Sequence, residues 1–431
     1  MSNGAPPSTG SRGLRANADL VAILAVAFIG RVGVVLATRH LTMRDDSADY
    51  VRLGLVLSHG HGFGESVLAA GGGPTAFRAP VYPMFLGTVF RLTSDSLTAA
   101  RLLQAVTGTV TVALIGVLAW QLFDRRHAIV AAGLAAVYPP LILVGDAVQT
   151  ESISLPLELL VLVLALEHRR RHQGGLLLPV VGGGLIGLCI LTRPANIAMV
   201  VPVVLLVTWR GRRAFVAPSL VVVAMVVTLL PWQIRNQATF HRFVPVSTAD
   251  AFIIAGVYND QAAHDPVNRA VWRPPTIIPG QAELFADPTL DEVELADALR
   301  TKGTDYAKHH VGYIPVVLAV NLLHLLDLGG LARADLGHLS EGYGRGWSRL
   351  WTYSYFVVAL LAVAGAFSKR ARQAPLAVWL TPVLFVLVTI PTLGTSRYRA
   401  PIEPFLVLLA AIPILALLDR GRAGDESATS G

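Results

Sequence analysis

Residues 214–236 read AFVAPSLVVVAMVVTLLPWQIRN and indicate the class of fold. The part from 214 to 234 carries no charged side chain, and a helix of about 20 apolar residues crosses a hydrocarbon core about 30 Å thick. Similar runs recur along the chain, and we predict spans at 18–39, 96–123, 127–144, 150–167, 175–192, 195–209, 214–234, 350–367, 374–392 and 400–418. The sequence therefore predicts an all-α polytopic membrane protein, a bundle of about 10 transmembrane helices.

The composition agrees with a membrane protein. Of the 431 residues, 53% are hydrophobic and 15% are charged, whereas a soluble domain carries about a quarter charged residues. The net charge of +7 accompanies arginines dispersed in loops, which does not favour nucleic acid as a partner. Cys189 is the only cysteine and lies inside an apolar run, which excludes an intrachain disulfide. Richness in Ala, Val, Gly and Arg suggests a bacterial genome and hence a bacterial plasma membrane.

Basic residues predict the orientation, since short basic loops stay on the cytoplasmic side. We therefore place both termini inside, together with the clusters at 124–126, 168–171, 210–213 and 369–372. The predicted organisation has a disordered cytoplasmic tail at 1–17, a membrane domain at 18–419 and a second cytoplasmic tail at 420–431. Two long extracytoplasmic loops with interfacial helices are predicted at about 40–95 and 236–349.

The second outer loop carries two local patterns. Thr289 and Glu292 fit a capping box and predict an amphipathic helix that starts near residue 289. In the apolar segment 312–328, the polar residues Asn321, His324 and Asp327 recur three positions apart and form a polar stripe. A span there would place the basic cluster at 369–372 outside, so we interpret this segment as a helix that lies at the outer interface or re-enters the membrane.

The first outer loop begins with Asp45-Asp46-Ser47-Ala48-Asp49-Tyr50, a few residues beyond the first span. In a helix, Asp46 and Asp49 share a face because they are three residues apart. Carboxylates just beyond the end of an apolar span fit a general base with a neighbouring acid that could hold a divalent cation. The alternative is a solvated helix start, where acids favour the N-terminal end of the helix dipole.

The same loop continues with Arg78-Ala79-Pro80-Val81-Tyr82-Pro83, a cation and an aromatic ring at the membrane surface. Arg78 could hold a phosphate through a bidentate, charge-assisted contact. The alternative is an interfacial anchor for lipid headgroups. Glu151 begins the fourth predicted span and could face a cavity shared with Asp46, whereas Asp146 is interpreted as a bystander.

Further arginines fall at the outer face in this topology, against the positive-inside tendency. They are Arg193, Arg235, Arg397 and Arg399. A lipid-linked anion would explain them, and contact with ordinary headgroups is the alternative. Arg31 lies within the first span, where a charge indicates a functional site or a structural pairing with another helix. His59 and His61 are a weak metal motif, more simply interpreted as part of a flexible loop.

Taken in chain order, these motifs resemble the GT-C superfamily of membrane glycosyltransferases, in particular the branch with protein O-mannosyltransferases and bacterial aminoarabinose transferases. The matching residues are Asp46-Ser47-Ala48-Asp49-Tyr50, Gly60-His61-Gly62-Phe63, Arg78-Ala79-Pro80 with Tyr82-Pro83, Tyr138-Pro139-Pro140, Glu151, Leu191-Thr192-Arg193-Pro194, Pro231-Trp232-Gln233-Ile234-Arg235-Asn236 and Arg397-Tyr398-Arg399-Ala400-Pro401. They cover almost the whole chain between the tails. Each motif is weak alone. The resemblance is specific because the motifs follow the same order along the chain and all fall on the same predicted side of the membrane.

The resemblance implies an inverting glycosyltransferase that moves a hexosyl or pentosyl group from a polyprenyl-phosphate carrier to an envelope acceptor at the outer face. It implies Asp46 as the general base, Glu151 as a second acid near the same cavity and Arg78 as a contact of the donor phosphate. The mannosyltransferases carry Asp-Glu where this chain has Asp45-Asp46 followed by Asp49, which leaves the choice of base among these three open.

The residue types fit this chemistry independently. A departing phosphate monoester has a second pKa near 6, so it needs stabilising cations rather than a strong general acid. The acceptor hydroxyl needs a carboxylate base. Besides Arg78, the candidate contacts of the donor phosphate and substrate are Tyr50, Tyr82, Arg193, Arg235, Arg397 and Arg399. No metal site is assigned firmly, and Asp46 and Glu151 are the possible ligands of a divalent cation.

Two other classes of protein fit the sequence less well than a transferase. A transporter or flippase for a lipid-linked substrate would place polar residues at mid-membrane in broken helices, and here only Arg31 lies there. An inactive scaffold would not need Asp46, Arg78 and Glu151. The sequence leaves the sugar open between mannose and arabinose, and the acceptor open among protein, lipoglycan, wall polysaccharide and glycolipid.

Overall fold

The computed structural model describes residues 9–40, 42–171, 175–208 and 214–429, which are largely helical and contain no β-strand. The α-helices, numbered in chain order, are α1 Thr9–Ala37, α2 Asp45–Ser58, α3 Val81–Thr93, α4 Leu97–Leu122, α5 Arg125–Val137, α6 Pro139–Asp146, α7 Glu151–Arg170, α8 Leu177–Thr192, α9 Val200–Val207, α10 Val216–Phe240, α11 Ala249–Val257, α12 Asp260–His264, α13 Glu292–His309, α14 Ile314–Leu325, α15 Leu331–Ser340, α16 Arg345–Ala366, α17 Lys369–Gln373, α18 Leu376–Thr389 and α19 Glu403–Thr429. Short 3-10 helices occupy Pro194–Met199, Pro275–Ile277, Ala282–Ala286, Val311–Tyr313 and Ser396–Arg399.

Five helices of the described ranges are long and apolar enough to cross a membrane, and the bent pair α5 and α6 would make a sixth span. The five are Ala18–Ala37, Leu97–Leu122, Val216–Phe240, Arg345–Ala366 and Glu403–Gly421. Shorter apolar helices are Leu177–Thr192, Pro194–Val207, Val311–Leu325 and Leu376–Thr389. These helices confirm the prediction of an all-α, multi-pass membrane protein.

Every predicted span coincides with a helix or a pair of helices, although some boundaries differ. The span predicted at 127–144 consists of α5 and α6, which meet at an angle of 55°. The chain bends there because Pro139 and Pro140 have no backbone N–H with which to continue the ladder of α5.

The ends of the chain also differ from the predicted boundaries. Helix α1 begins at Thr9 and α19 ends at Thr429, so both extend into the segments predicted as tails. Residues 1–8 and 430–431 of those tails, and the basic cluster at 210–213, lie outside the described residues.

Loops that were predicted to lie on the cytoplasmic side meet at one end of the bundle. Asp19 at the start of the first span lies 3.7 Å from Arg125. Asp124 accepts a hydrogen bond of 2.8 Å from Arg370, and Arg126 pairs with Asp419 beyond the last span. These contacts are largely exposed and add little stability. They show that four separate segments of the chain meet at the same end of the bundle.

The two outer loops are joined at the opposite end by Glu292. This carboxylate accepts hydrogen bonds from the backbone N–H of Ala76 at 2.7 Å and from the hydroxyl of Ser66 at 2.6 Å. The capping box of α13 is formed by Asp291 and Glu294. The box predicted from Thr289 and Glu292 is therefore wrong, since the helix begins later and Glu292 is used for contacts with the first loop.

The segment 312–328 forms a 3-10 turn and then α14, whose 12 residues extend about 18 Å. This helix is too short to cross the bilayer alone. Its polar stripe faces the protein: Asn321 donates to the carbonyl of Ile390 at 2.9 Å, and Asp327 accepts from Arg399 at 2.9 Å.

Asp146, interpreted from the sequence as a bystander, is a structural residue. It is 4% exposed and accepts hydrogen bonds from Arg101 at 2.7 Å and from the hydroxyl of Tyr343 at 3.0 Å. Thr38 at the end of α1 also donates to it at 3.1 Å. A buried ion pair with further hydrogen bonds is costly to break. Asp146 therefore fixes the adjacent ends of α1, α4 and α6 relative to one another.

Candidate active site

The acidic motif of the first loop forms the beginning of α2, and this places Asp46 and Asp49 on one face of the helix. Arg78 bridges them: its Nη2 donates to Asp46 Oδ1 at 2.6 Å, and its Nε donates to Asp49 Oδ2 at 2.7 Å. The guanidinium carbon lies 4.8 Å from the centre of the Tyr50 ring and 4.6 Å from that of Phe77. These cation–π contacts hold the guanidinium plane between two rings.

Arg397, on the turn before α19, connects carboxylates from three separate parts of the chain. Its Nη1 donates to Asp46 at 2.8 Å and to Glu341 at 3.3 Å, and its Nε donates to Glu151 at 2.8 Å. Asp46 comes from α2, Glu151 begins α7, and Glu341 lies in the connection between α15 and α16. The residue is 9% exposed, so this junction is largely shielded from solvent.

Two further side chains complete the network. Arg193, directly after α8, donates to Glu151 Oε1 at 2.8 Å, and its guanidinium carbon lies 4.4 Å from the centre of the Tyr398 ring. Gln149 donates to Glu341 at 2.7 Å and to the hydroxyl of Ser47 at 2.9 Å. Elements far apart in the sequence therefore converge on one polar cluster at the end of the helical bundle.

A cavity of about 290 Å³ opens beside this cluster. It is lined by Asp46, Tyr50, Phe77, Arg78, Ala79, Thr150, Thr192, Arg193, Pro194, Ala195, Ser247, Ala249, Asp250, Ile253, Val388, Thr389, Thr392, Arg397 and Tyr398. Asp46 faces the cavity with 31% of its side chain exposed, whereas that of Glu151 is fully buried behind Arg397 and Arg193. Of the predicted acids Asp46, Asp49 and Glu151, only Asp46 can meet a molecule in the cavity directly.

The arginines determine the charge state of the acids. Burial opposes the ionisation of Asp46, but Arg78 and Arg397 outweigh it and hold the pKa of this carboxyl well below its usual range. Glu341 has the opposite behaviour, because burial raises its pKa and Glu151 and Asp46 add to that effect against Arg397. Burial also raises the pKa of Tyr50 to about 12, so its hydroxyl stays protonated. Asp46 is thus an ionised carboxylate, and Glu341 is the acid that accepts a proton more readily.

The arrangement suits an anionic ligand more than a metal ion. The guanidinium groups of Arg78, Arg193 and Arg397 line one cavity and could bind a phosphate in its low-dielectric interior. The described part of the chain has no group of three or more acidic, His or Cys residues placed to hold a metal ion. Asp46 and Glu151, the possible cation ligands, both bind Arg397, whose guanidinium lies between them. These residues do not fit a divalent cation in this arrangement.

Some predicted substrate contacts lie elsewhere, and Arg399 is the clearest case. Its side chain is fully buried and pairs with Asp327 at 2.9 Å and Glu403 at 2.6 Å. Its guanidinium carbon lies 3.4 Å from the centre of the Tyr355 ring. The prediction that Arg399 contacts a substrate is therefore wrong. Its contacts make it part of the packing between α14, α16 and α19.

Tyr82 and Arg235 support the site from outside the cavity. Tyr82 is fully buried, donates to Gln104 at 3.2 Å and packs edge-on against Tyr50 with ring centres 5.0 Å apart. Arg235 donates to the carbonyls of Thr75 at 2.9 Å and Phe63 at 2.7 Å, which holds the first outer loop against α10. Neither side chain lines the cavity, so neither is a direct contact for a ligand there.

Glu341 and Gln149 were not identified from the sequence. Glu341 lies at the end of a long loop with no motif around it, and Gln149 belongs to the turn before Glu151. For Gln149 the only available signal was its position next to the predicted span at 150–167, and for Glu341 it was its place in the predicted loop at 236–349. Arg31 is 2% exposed, donates to the carbonyl of Ala27 at 3.1 Å within its own helix and does not line the cavity.

Comparison with known proteins adds a family pattern and a fold. The family model described as dolichyl-phosphate-mannose-protein mannosyltransferase matches residues 77–233, just over a third of the chain. This segment contains Arg78, Glu151 and Arg193. No curated protein sequence matches the chain at a significant level.

Solved structures resemble the chain over nearly its whole length. The archaeal oligosaccharyltransferase AglB from Archaeoglobus fulgidus, in complex with an inhibitory peptide and a dolichol-phosphate, is 16% identical with a TM-score of 0.55 over 95% of this chain and 52% of that chain. The same enzyme tethered with an acceptor peptide containing the NVT sequon is 15% identical with a TM-score of 0.54 over 93% of this chain and 50% of that one. ArnT from Cupriavidus metallidurans, bound to undecaprenyl phosphate, is 17% identical with a TM-score of 0.44 over 94% of this chain and 77% of that chain. The chain spans about half the length of the oligosaccharyltransferase, and at these identities the likeness to it is one of fold.

Proposed function

We propose that this chain, which has the fold of the GT-C membrane glycosyltransferases, transfers a sugar from a polyprenyl-phosphate donor to a cell-envelope acceptor. The reaction takes place at the outer face of the bacterial plasma membrane, with inversion at the anomeric carbon. The observation that carries the proposal is the position of Asp46, a partly exposed carboxylate between Arg78 and Arg397 at the wall of one cavity.

The arginines of the cavity provide for the donor phosphate. Guanidinium groups bind phosphate oxygens in bidentate fashion, and fixed cations stabilise the charge that builds up as the phosphate departs. Apolar side chains such as Ile253, Val388 and Ala195 line the same cavity, and Val388 is 37% exposed. A cavity with an arginine wall and an apolar wall suits a phosphate that is attached to a lipid.

Asp46 provides the general base. It takes the proton of the acceptor hydroxyl while the oxygen forms a bond to the anomeric carbon. The bond from that carbon to the phosphate oxygen breaks, and its electron pair stays on the polyprenyl phosphate. A single displacement of this kind inverts the configuration at the anomeric carbon. Glu151 does not reach the acceptor, and its contacts with Arg193 and Arg397 make it a positioning residue.

Donor binding would also activate the base. In the ligand-free arrangement two arginines hold the pKa of Asp46 well below its usual range, which makes the carboxylate a weak base. A donor phosphate that binds Arg78 and Arg397 competes with Asp46 for the same N–H groups. The carboxylate then regains basicity when the substrate is present.

Purified protein in proteoliposomes tests the proposal against the alternative of a flippase. With a polyprenyl-phosphate donor labelled in the sugar, we expect label to move to an envelope acceptor fraction and unlabelled polyprenyl phosphate to be released. A flippase would move the labelled lipid across the bilayer without chemical change. Intact donor after prolonged incubation with the acceptor fraction would contradict a transferase.

Replacement of Arg78 by alanine is expected to weaken donor binding. Loss of a charge-assisted hydrogen bond costs about 1.5–3 kcal/mol, so the donor KM should rise roughly 10- to 100-fold. Arg52→Ala is the matched control, since Arg52 also binds Asp49, at 3.1 Å, but does not line the cavity. An unchanged donor KM in Arg78→Ala would leave Arg78 with the role of an interfacial anchor.

A further inference from the structure

A second cavity, of about 390 Å³, lies beside the catalytic cavity, between residues 243–248 and one face of α13. We call it the outer cavity. Pro194, Ser247 and Asp250 line both cavities, so the two share a boundary. Pro194 directly follows Arg193, one of the arginines that line the catalytic cavity. A molecule that enters through the outer cavity would therefore meet the donor phosphate at this boundary.

Asp250 is a second carboxylate that faces the catalytic cavity, and it belongs to the first turn of α11. Its side chain is 53% exposed, so a ligand can reach it. Each of its two oxygens accepts one hydrogen bond of 3.2 Å from Arg300. A carboxylate has about four lone-pair positions, so Asp250 can accept further hydrogen bonds from a molecule at the boundary.

Ser247 offers the complementary group at the same boundary. Its oxygen accepts from the backbone N–H of Ala249 at 3.1 Å, and its own O–H donates to none of the described groups. The residue is partly exposed. An accessible donor beside an accessible acceptor matches the neighbouring hydroxyl groups of a sugar ring. A serine or threonine side chain has only the one hydroxyl that would react, so it would leave Asp250 and Ser247 without a partner.

The two cavities also differ in charge. Among the described residues, the catalytic cavity is lined by three arginines and two aspartates, and the outer cavity by two aspartates and one arginine. The acids of the outer cavity are Asp250 and Asp297, and the arginine is Arg300. The catalytic cavity therefore favours an anion such as the donor phosphate, whereas the outer cavity disfavours one. The outer cavity suits an uncharged or basic molecule.

The packing of α11 against α13 fixes the position of Asp250. The two helices share one apolar cluster, which contains Phe252 and Leu299. Arg300 follows Leu299 in α13 and donates both to Asp250 and to Asp297, the latter at 2.6 Å. The carboxylate of Asp250 is thus held at the boundary by a guanidinium whose helix is anchored in the protein.

We infer that the acceptor is an uncharged or basic carbohydrate that enters through the outer cavity. At the boundary, Asp250 and Ser247 bind hydroxyl groups next to the one that is presented to Asp46. Asp250 is then a specificity-determining residue for the acceptor and takes no part in proton transfer. The inference rests on the proposed function for the identity of this carbohydrate as the acceptor, whereas its binding at Asp250 does not depend on transfer.

The test compares two labels on one acceptor preparation, with the full chain in proteoliposomes. The deproteinised, delipidated carbohydrate of the source organism's envelope is hydrolysed to short oligosaccharides. Their reducing ends are labelled either with neutral aminobenzamide or with anionic aminobenzoate. We expect the acceptor KM of the wild type to be about two- to fivefold lower with the neutral label, the effect of one partly exposed charge. High salt should remove this preference.

Asp250→Ala should raise the KM for the neutral acceptor roughly tenfold, the effect of losing a hydrogen bond to a charged group. The donor KM should stay near its wild-type value. The unfolding temperature should change little, because the pair between Asp250 and Arg300 is exposed.

Two variants of α13 are the matched controls. Asp297 lines only the outer cavity, so Asp297→Ala should reduce the preference for the neutral label and leave the KM for the neutral acceptor near that of the wild type. Asp305 pairs with Lys308 at 3.0 Å and lines neither cavity, so Asp305→Ala should change neither quantity.

Three results would overturn the inference and leave the proposed function standing. They are an unchanged acceptor KM in Asp250→Ala, equal KM values of the wild type for the two labels, and transfer to envelope peptides but not to carbohydrate. The same neutral probe is also measured for retention by the chain in lipid nanodiscs without donor. Retention that Asp250→Ala weakens, in a protein that transfers no sugar, would refute the proposed function and leave the carbohydrate site standing.

Discussion

Asp46→Asn is expected to abolish sugar transfer while the protein stays folded in the membrane. The amide has nearly the same shape as the carboxylate but cannot take the proton of the acceptor hydroxyl, and loss of a general base costs about 10²–10⁴ in rate. The substitution leaves partners for both arginines, because Arg78 keeps Asp49 and Arg397 keeps Glu151. The measurement is the initial rate of transfer at saturating donor, together with thermal unfolding of the purified protein.

The neighbouring aspartates provide the controls for this prediction. Asp45 is exposed and does not line the cavity, so Asp45→Asn should transfer at the wild-type rate. Asp49 does not line the cavity and affects it only through its ion pairs with Arg78 and Arg52. Asp49→Asn should therefore raise the donor KM more than it lowers kcat. Full activity in Asp46→Asn would exclude Asp46 as the base, and loss of kcat in Asp49→Asn would transfer that role to Asp49.

Arg397→Lys should reduce kcat/KM by about 10²–10³, the cost of removing one preorganised donor that stabilises charge in a transition state. Lysine keeps the positive charge, but a single ammonium cannot reproduce the fork that now contacts Asp46, Glu151 and Glu341. Because the charge is kept, the protein should still fold. Donor binding measured with polyprenyl phosphate should weaken in parallel with the rate.

Arg399→Lys is the matched substitution two residues away, and its expected result is the reverse. The guanidinium of Arg399 is fully buried between Asp327 and Glu403. Lysine keeps the charge, but its single ammonium cannot contact both carboxylates as the guanidinium does, and a buried carboxylate left without its partner costs about 3–5 kcal/mol. We therefore expect a lower unfolding temperature, with near-normal kcat/KM in the folded fraction. Two results together would contradict these roles. They are a near-wild-type rate of transfer by Arg397→Lys, and an Arg399→Lys variant that is inactive although its unfolding temperature is unchanged.

The hydrophobic runs predicted the helices well. The basic clusters predicted which helix ends lie together at one end of the bundle. The family model and the shared fold confirm the resemblance to the GT-C superfamily that the ordered motifs suggested. What a run of apolar residues does not reveal is the direction in which each polar side chain points around its helix. Arg397 and Arg399 lie on one 3-10 turn, where residues two apart point in directions that differ by about 120°. The sequence placed both at the same membrane face, and the structure separates them into a cavity and a core.

The other differences have the same cause. Helix packing turns Asp146, Tyr82 and Arg235 towards protein groups instead of the cavity. Glu341 could be found only from the structure, because its loop returns to Arg397 from a distant part of the chain. The misplaced capping box reflects competition between two overlapping motifs. Asp291 caps α13, and tertiary contacts to Ser66 and Ala76 occupy Glu292.

The ion-paired network around the cavity also links donor binding to proton uptake. The network contains equal numbers of acidic and arginine side chains. The four acids are Asp46, Asp49, Glu151 and Glu341, and the four arginines are Arg52, Arg78, Arg193 and Arg397. A donor phosphodiester adds a negative charge, which further favours protonation of Glu341, whose pKa is already raised. The pKa of Glu341 is then higher with donor bound than without it, so donor affinity should increase as pH falls from the bound-state pKa towards the free-state pKa. After transfer, Asp46 holds the proton of the acceptor hydroxyl and Glu341 holds the proton taken up with the donor. The departing polyprenyl phosphate, a monoester with a second pKa near 6, can take up one of them and the other is released to solvent, so the network returns to its initial charge when the lipid leaves.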